Sequence, residues 1–437
     1  MACPDRSTRT FDEAVELYLQ ERKLLFPEAQ NWSTISPILL SPWGYSFRTA
    51  APQFKASFRT QIEEHVRVPA YIYSPETYEF MGFDQDTAWR LWATIGPGFE
   101  EEDRSYPDFM IGFLLRAYIL CVKFKWTCPE PDSDAICMND DWLGHMKQIG
   151  IRQELQDAIM LPEYTDIRLT ASCNFWLIDT MRLRFDALYK LNDRGHDQLI
   201  HSKYIFTSKC LLNRNPRPQP RSECYTRLYH VNTHDINSTA DADNDNELTG
   251  VPTLWLRCGD FSSGANVDYY TPQVETADRY ACYAKVRSKY AAITIAEIFV
   301  PNKWLAQLTT KQFETPDTEW KEKVWTCRRR NILPLLDGVV PPDEEEALII
   351  GPISKIFDWQ PDAFGSTEDI LDMHALKVRI NGQEKAAVQW AFCGQNSLTS
   401  LRVNLKRDGW TTTHQIGAFF RSLPWGLNVK VLVREIG

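Results

Sequence analysis

Three prolines fall within residues 213–222 (NRNPRPQPRS), and neither a helix nor a central strand can run through them. Each proline fixes φ and removes a backbone donor, so the run reads as a boundary between two differently built stretches. Before it, from about residue 11 to residue 199, apolar residues recur at three- and four-residue spacing. Phe11, Val15, Tyr18 and Leu19 form one stripe, and Ala88, Leu91 and Trp92 form a second after Asp84, Gln85, Asp86 and Thr87, a capping sequence. Phe175, Ile178, Met181, Phe185 and Leu188 form a third, with Arg182, Arg184 and Asp186 on the other side. This spacing predicts helices.

Beyond the prolines the period shortens toward two. Residues 253–257, 293–300, 348–350, 376–380, 387–392 and 427–433 read as short strands. Thr271 followed by Pro272 predicts a helix start, with Val274, Ala277, Ala281 and Ala284 as its buried face. The expected class is α+β: an all-α domain over residues 1–212, a linker at 213–222 and an α+β domain over 223–437 with a mostly antiparallel sheet. A chain of 437 residues exceeds what one core usually serves, which agrees with that division.

Composition excludes several functions. The formal net charge of −10 argues against coating nucleic acid by bulk charge, and DNA is not an expected partner. A local basic patch is still available at Arg328, Arg329 and Arg330, supported by Arg214, Arg217 and Arg221; it reads either as an RNA-phosphate contact or as a solvated turn. The most apolar stretch, residues 110–124, is interrupted by Arg116 and Lys123 and is too short to span a bilayer. The first six residues lack the apolar run of a secretion signal, and the eleven cysteines follow no regular framework. Both point to a cytoplasmic protein with free thiols and no membrane association. Cys121, Cys128 and Cys137 with His145 lack the paired spacing of a zinc site. The acidic run at 241–247 lacks the glycine and final glutamate of a calcium loop. No metal and no resident cofactor are therefore expected.

The candidate site comes from four signals in fixed order: Tyr229-His230, Gly259-Asp260-Phe261-Ser262, Tyr269-Tyr270-Thr271-Pro272, and residues 348–353 (LIIGPI). That order resembles the catalytic core of ADP-ribosyltransferase-like proteins. The resemblance implies that His230 contacts a nucleotide ribose and that Tyr269 stacks on a planar base, with Asp260, Ser262 and Tyr270 lining the same cleft. An imidazole offers a donor and an acceptor to a ribose diol, and an aromatic face suits a base. Val231 and Asn232 replace the small pair that NAD-using members carry, and Glu346, after the acidic residues 343–345, is the nearest match to their catalytic glutamate.

Over nearly its whole length the chain resembles a large filamentous-fungal family, through residues 149–151, 155–159, 166–170, Phe175-Trp176, residues 259–261, 270–272, 320–325, Arg328-Arg329 and residues 350–353, and by overall likeness it resembles fungal arginine-containing cyclodipeptide synthases. That resemblance implies an enzyme of secondary metabolism that joins the aminoacyl groups of arginyl-tRNA and a second aminoacyl-tRNA. In that enzyme His230 would act as base, Tyr269 would stack on the terminal base, Asp260 or Glu346 would pair with the arginyl guanidinium, and Arg328, Arg329 and Arg330 would grip the tRNA. Two alternatives stay open: an ADP-ribosyltransferase or NAD glycohydrolase, which would use NAD, and an inactive module that binds a nucleotide end.

Overall fold

The computed structural model describes residues 9–28, 31–36, 39, 65–95, 142–192, 195–196, 199, 224–232, 259–261, 267–288, 291, 293–330, 346–355, 367–393, 401, 411–416 and 435–436. The expected linker at 213–222 and the expected strands at 253–257 and 427–433 lie outside them.

The first half contains helices α1 (Glu13–Glu21), α2 (Pro75–Met81), α3 (Gln85–Ile95), α4 (Trp142–Gln148), α5 (Gln153–Ile159), α6 (Thr165–Arg168) and α7 (Cys173–Tyr189). Local chemistry starts several of them. Asp12 accepts from the Val15 amide, Asp84 from that of Thr87 at 2.7 Å, and Ser172 from that of Phe175. Contrary to the all-α expectation, this half also holds an antiparallel sheet of β1 (Leu25–Pro27), β2 (Trp32–Ile35) and β3 (Val66–Pro69). These strands are short and stand among residues with helical spacing, so the sequence does not set them apart. The polar side of α7 differs too. Arg184 and Asp186 are buried, and the Arg184 guanidinium bonds Glu154 at 3.0 Å and the Arg287 carbonyl at 2.8 Å.

The second half is mixed α+β. One four-stranded sheet runs in the order β5 (Val267–Tyr270), β11 (Val388–Cys393), β8 (Leu348–Pro352), β7 (Thr310–Gln312). A second runs β13 (Glu435–Ile436), β12 (Thr411–Ile416), β6 (Ile293–Pro301), β4 (Tyr225–Asn232), and β9 (Lys377–Ile380) with β10 (Gln383–Ala386) form a hairpin. Among the described residues the sheets close into no barrel, and every pairing is antiparallel except β7 with β8.

Helix α8 (Val274–Ser288) starts two residues later than Pro272 suggests. Thr271 instead accepts from the Gln273 amide, and Val274 is 37% exposed while Ala277, Ala281 and Ala284 are buried. This helix joins the halves. Tyr283 packs in one cluster with Phe83, Leu155, Trp176 and Phe185 from the first half and Leu376, Val378 and Ala387 from the second. Arg287 bonds Asp179 at 2.7 Å while its guanidinium lies 4.6 Å from the Trp176 ring and 4.4 Å from the Tyr283 ring. A one-turn helix, α9 (Asn302–Leu305), and a longer one, α10 (Thr318–Arg330), follow. Trp320 of α10 is fully buried on the sheet and donates to the Pro352 carbonyl at 3.1 Å.

Candidate functional site at the junction of two sheets

Strands β4 and β5 bring the two four-stranded sheets together. Among the described residues they share one bridge, in which Tyr229 and Thr271 exchange backbone hydrogen bonds of 2.7 and 2.9 Å. The next rung would pair Val231 with Tyr269, but the ladder stops there. The Tyr269 carbonyl is taken instead by the His230 side chain, with Nδ1 at 2.8 Å. An imidazole thus stands where a ladder bond would have been.

This contact fixes the chemistry of the ring. A carbonyl can only accept, so Nδ1 carries the proton, and the neutral ring then has its lone pair on Nε2. His230 keeps some exposed edge, yet Nε2 is shielded from solvent and has no hydrogen-bond partner among the described residues. Burial pushes the His230 pKa below the ordinary 6.5, while the Tyr269 carbonyl and the Asp268 charge pull the other way. The ring is therefore neutral at pH 7, a buried acceptor in a state to receive a proton. The Tyr270 ring lies 5.2 Å from it, and Phe392 and Trp304 extend the aromatic wall at 5.7 and 6.0 Å from ring to ring.

The pairing of His230 with Tyr269 takes a different form from the one the sequence suggests. Neighbouring side chains on a strand point to opposite faces, so Tyr270 shares the face of His230 and Tyr269 turns to the α10 side. There the Tyr269 phenol accepts from the Phe261 amide at 3.2 Å and packs among Phe313, Trp320 and Ile349. Burial holds its pKa well above 10. The Tyr269 ring offers no face for stacking beside His230; its carbonyl is the part that touches the site.

Asp260 does not sit at a cleft mouth. It is 3% exposed, and its Oδ1 accepts from Arg328 Nε at 2.7 Å, Arg328 Nη2 at 2.5 Å and Ser354 Oγ at 2.7 Å. Its Oδ2 accepts from the Ser354 amide at 2.7 Å and from Gln389 Nε2 at 2.6 Å. Arg328 is 6% exposed, so it belongs to this buried pair and not to a solvent-facing patch. Arg329 and Arg330 end α10, and their side chains, like all of Ser262, lie outside the described residues. Glu346 is half-buried and faces Lys323 of α10 at 3.6 Å.

Asp268 is the residue the sequence reading passed over. It is 3% exposed, and its charge favours the protonated form of His230. The signal was present: an acid two residues before Tyr270 in a four-residue strand must share that tyrosine's face. Among the described residues no group of acids, histidines or cysteines is arranged to hold a metal, and no helix is long and apolar enough to cross a membrane. No protein-family model, curated protein or solved structure matches the chain, so the site rests on its own geometry.

Proposed function

We propose that the β4/β5 junction is the active site of an aminoacyl-tRNA-dependent transferase that builds an arginine-containing cyclodipeptide, with His230 as the proton acceptor. The observation that carries the reading is the neutral, half-buried His230 ring, whose tautomer leaves Nε2 as an acceptor with no partner among the described residues. In the reaction the amine of one aminoacyl ester attacks the carbonyl carbon of the other. Nε2 takes the proton from the attacking nitrogen, and the tRNA 3′ oxygen leaves with a proton. The dipeptidyl amine then attacks the remaining ester in the same way and closes the ring. Both esters arrive activated, so the chain needs no ATP and no resident cofactor. Asp268 stabilises the imidazolium formed at each step, and Tyr270 gives the adjacent aromatic face.

The ADP-ribosyltransferase-like resemblance belongs to the same reading, because a pocket shaped for nucleotide ribose also suits the terminal adenosine of tRNA. A cytoplasmic location follows from the tRNA partners. Use of NAD is less favoured, since the Tyr269 ring that would stack on nicotinamide lies on the opposite face, half-buried against the α10 cluster. Expression in a host free of such products, followed by a mass search for cyclo-arginyl dipeptides, tests the reading. The wild-type chain should yield such a mass, and His230→Gln should not. A soluble, folded wild-type chain that yields none in the presence of abundant charged tRNA would leave nucleotide-end binding without chemistry.

A further inference from the structure

Tyr269 is used on both faces of its sheet. Its carbonyl holds the His230 ring, and its phenol is gripped on the α10 side by the turn at residues 259–261. Each residue of that turn contributes. Gly259 lies so close that any Cβ there would run into the Tyr269 Oη, Phe261 donates its amide to the phenol, and Asp260 is fastened by Arg328, Ser354 and Gln389. We infer that this turn is a clamp that orients His230 through Tyr269, making Gly259, Asp260, Tyr269 and Arg328 positioning residues for the proton acceptor. The inference rests on the reading of His230 as that acceptor.

The junction explains why a clamp matters there. β5 has four residues, and at Tyr269 its edge toward β4 has the imidazole in place of a ladder bond. The place of the Tyr269 carbonyl is therefore set from the other side, by β11 and by the grip on the phenol. If β5 rocks away, the Nδ1–H loses its acceptor. The ring can then move its proton to Nε2, the form that free histidine favours, and Nε2 changes from acceptor to donor. Such a ring no longer takes a proton from an amine, although the protein stays folded. The order of the motif along the chain, Gly259-Asp260-Phe261 before Tyr269, thus has a reason other than lining a cleft.

The test reads the ring directly. Nitrogen-15 spectra of the His230 imidazole should be compared in the wild type, Tyr269→Phe and Gly259→Ala, with Trp320→Phe as control. Trp320→Phe removes a hydrogen bond to Pro352 within the same cluster but leaves the Phe261–Tyr269 hydrogen bond in place. The wild type should show the proton on Nδ1. Tyr269→Phe and Gly259→Ala should shift the ring toward the Nε2–H form and lower its apparent pKa further, because the Tyr269 carbonyl that supports the charged ring is lost while Asp268 and Tyr270 still face it; Trp320→Phe should leave it unchanged. Unaltered spectra in Tyr269→Phe would overturn the inference, and so would an equal change in Trp320→Phe, which would indicate general loosening. A wild-type ring protonated on Nε2 would overturn it as well. Should Gly259→Ala fail to fold, Tyr269→Phe decides alone. This readout needs no turnover, so its failure is distinct from failure of the functional reading. Where turnover is measured, Tyr269→Phe should lower kcat by roughly tenfold to a hundredfold with KM little changed, the size of loss expected when a reacting group is misplaced.

Discussion

Arg328→Ala separates a buried structural arginine from a tRNA contact. The guanidinium supplies Asp260 with two charge-assisted bonds, from Nε at 2.7 Å and Nη2 at 2.5 Å, inside a site where both residues are more than nine-tenths buried. Removing it leaves a buried carboxylate held only by Ser354 and Gln389. Breaking a buried pair from one side costs about 3–5 kcal/mol, and the three bonds that remain place the expected loss near the lower end, about 3 kcal/mol. That is a large part of the ~5–15 kcal/mol that holds a typical domain together. Urea unfolding followed by tryptophan fluorescence measures it, since Trp320 and Trp325 lie on the same helix. The midpoint should fall with an unchanged slope. Asp260→Leu combined with Arg328→Met should recover only part of the loss, because both charges leave the interior together but the Ser354 and Gln389 donors lose their acceptor. A buried arginine releases no counterions, so the salt dependence of tRNA binding by folded Arg328→Ala should match the wild type. A stability loss under about 1 kcal/mol, or a flatter salt dependence, would refute the assignment of Arg328 to the core.

Two further outcomes follow from local geometry. Burial first, and Glu275 second, push the Asp278 pKa from 3.8 up to about 6. The folded state therefore binds more protons than the unfolded state between those values, and stability falls as pH rises through that window. Asp278→Asn should accordingly stabilise the protein at pH 7 to 8 by no more than about 1 kcal/mol, since solvent screens a partly exposed carboxylate, and should change nothing near pH 3. Thermal melts at the two pH values check this, and equal shifts at both would contradict it. Gly150 has φ +73°, and a Cβ there would meet the Thr87 side chain and come within 2.9 Å of Asp84 Oδ2, next to the cap of α3. Gly150→Ala should cost about 1–3 kcal/mol of backbone strain and displaced packing, measurable by denaturant unfolding.

The parts of the fold that were legible in the sequence are those whose periodicity lasts. The α7 stripe and strands β6, β8, β9 and β11 lie where alternation or helical spacing places them. The strands of the first small sheet were not legible, because they are short and set among residues with helical spacing, and only their partners make them strands. Arg184 of α7 reads as a solvated residue until Glu154 and the Arg287 carbonyl, far away in sequence, are brought to it. At the candidate site, His230 and Tyr269 were visible as residue types, but which part of Tyr269 meets His230 depends on how β4 and β5 lie side by side. Asp260 and Arg328 carried charge in the sequence, and nothing local revealed that each is the other's partner across the core.

The most direct test of the account is turnover by the purified chain given arginyl-tRNA and a pool of other aminoacyl-tRNAs, with wild type and His230→Ala compared at equal folded fraction. The wild type should release a cyclo-arginyl dipeptide, with a rate that falls at low pH only below the pKa of ordinary histidine, because burial holds His230 neutral further into acid. His230→Ala should lose nearly all of that product while its unfolding midpoint stays close to that of the wild type. Product formed by His230→Ala at the wild-type rate, or none formed by a folded wild type from either tRNA pool, would contradict the claim that His230 takes the proton.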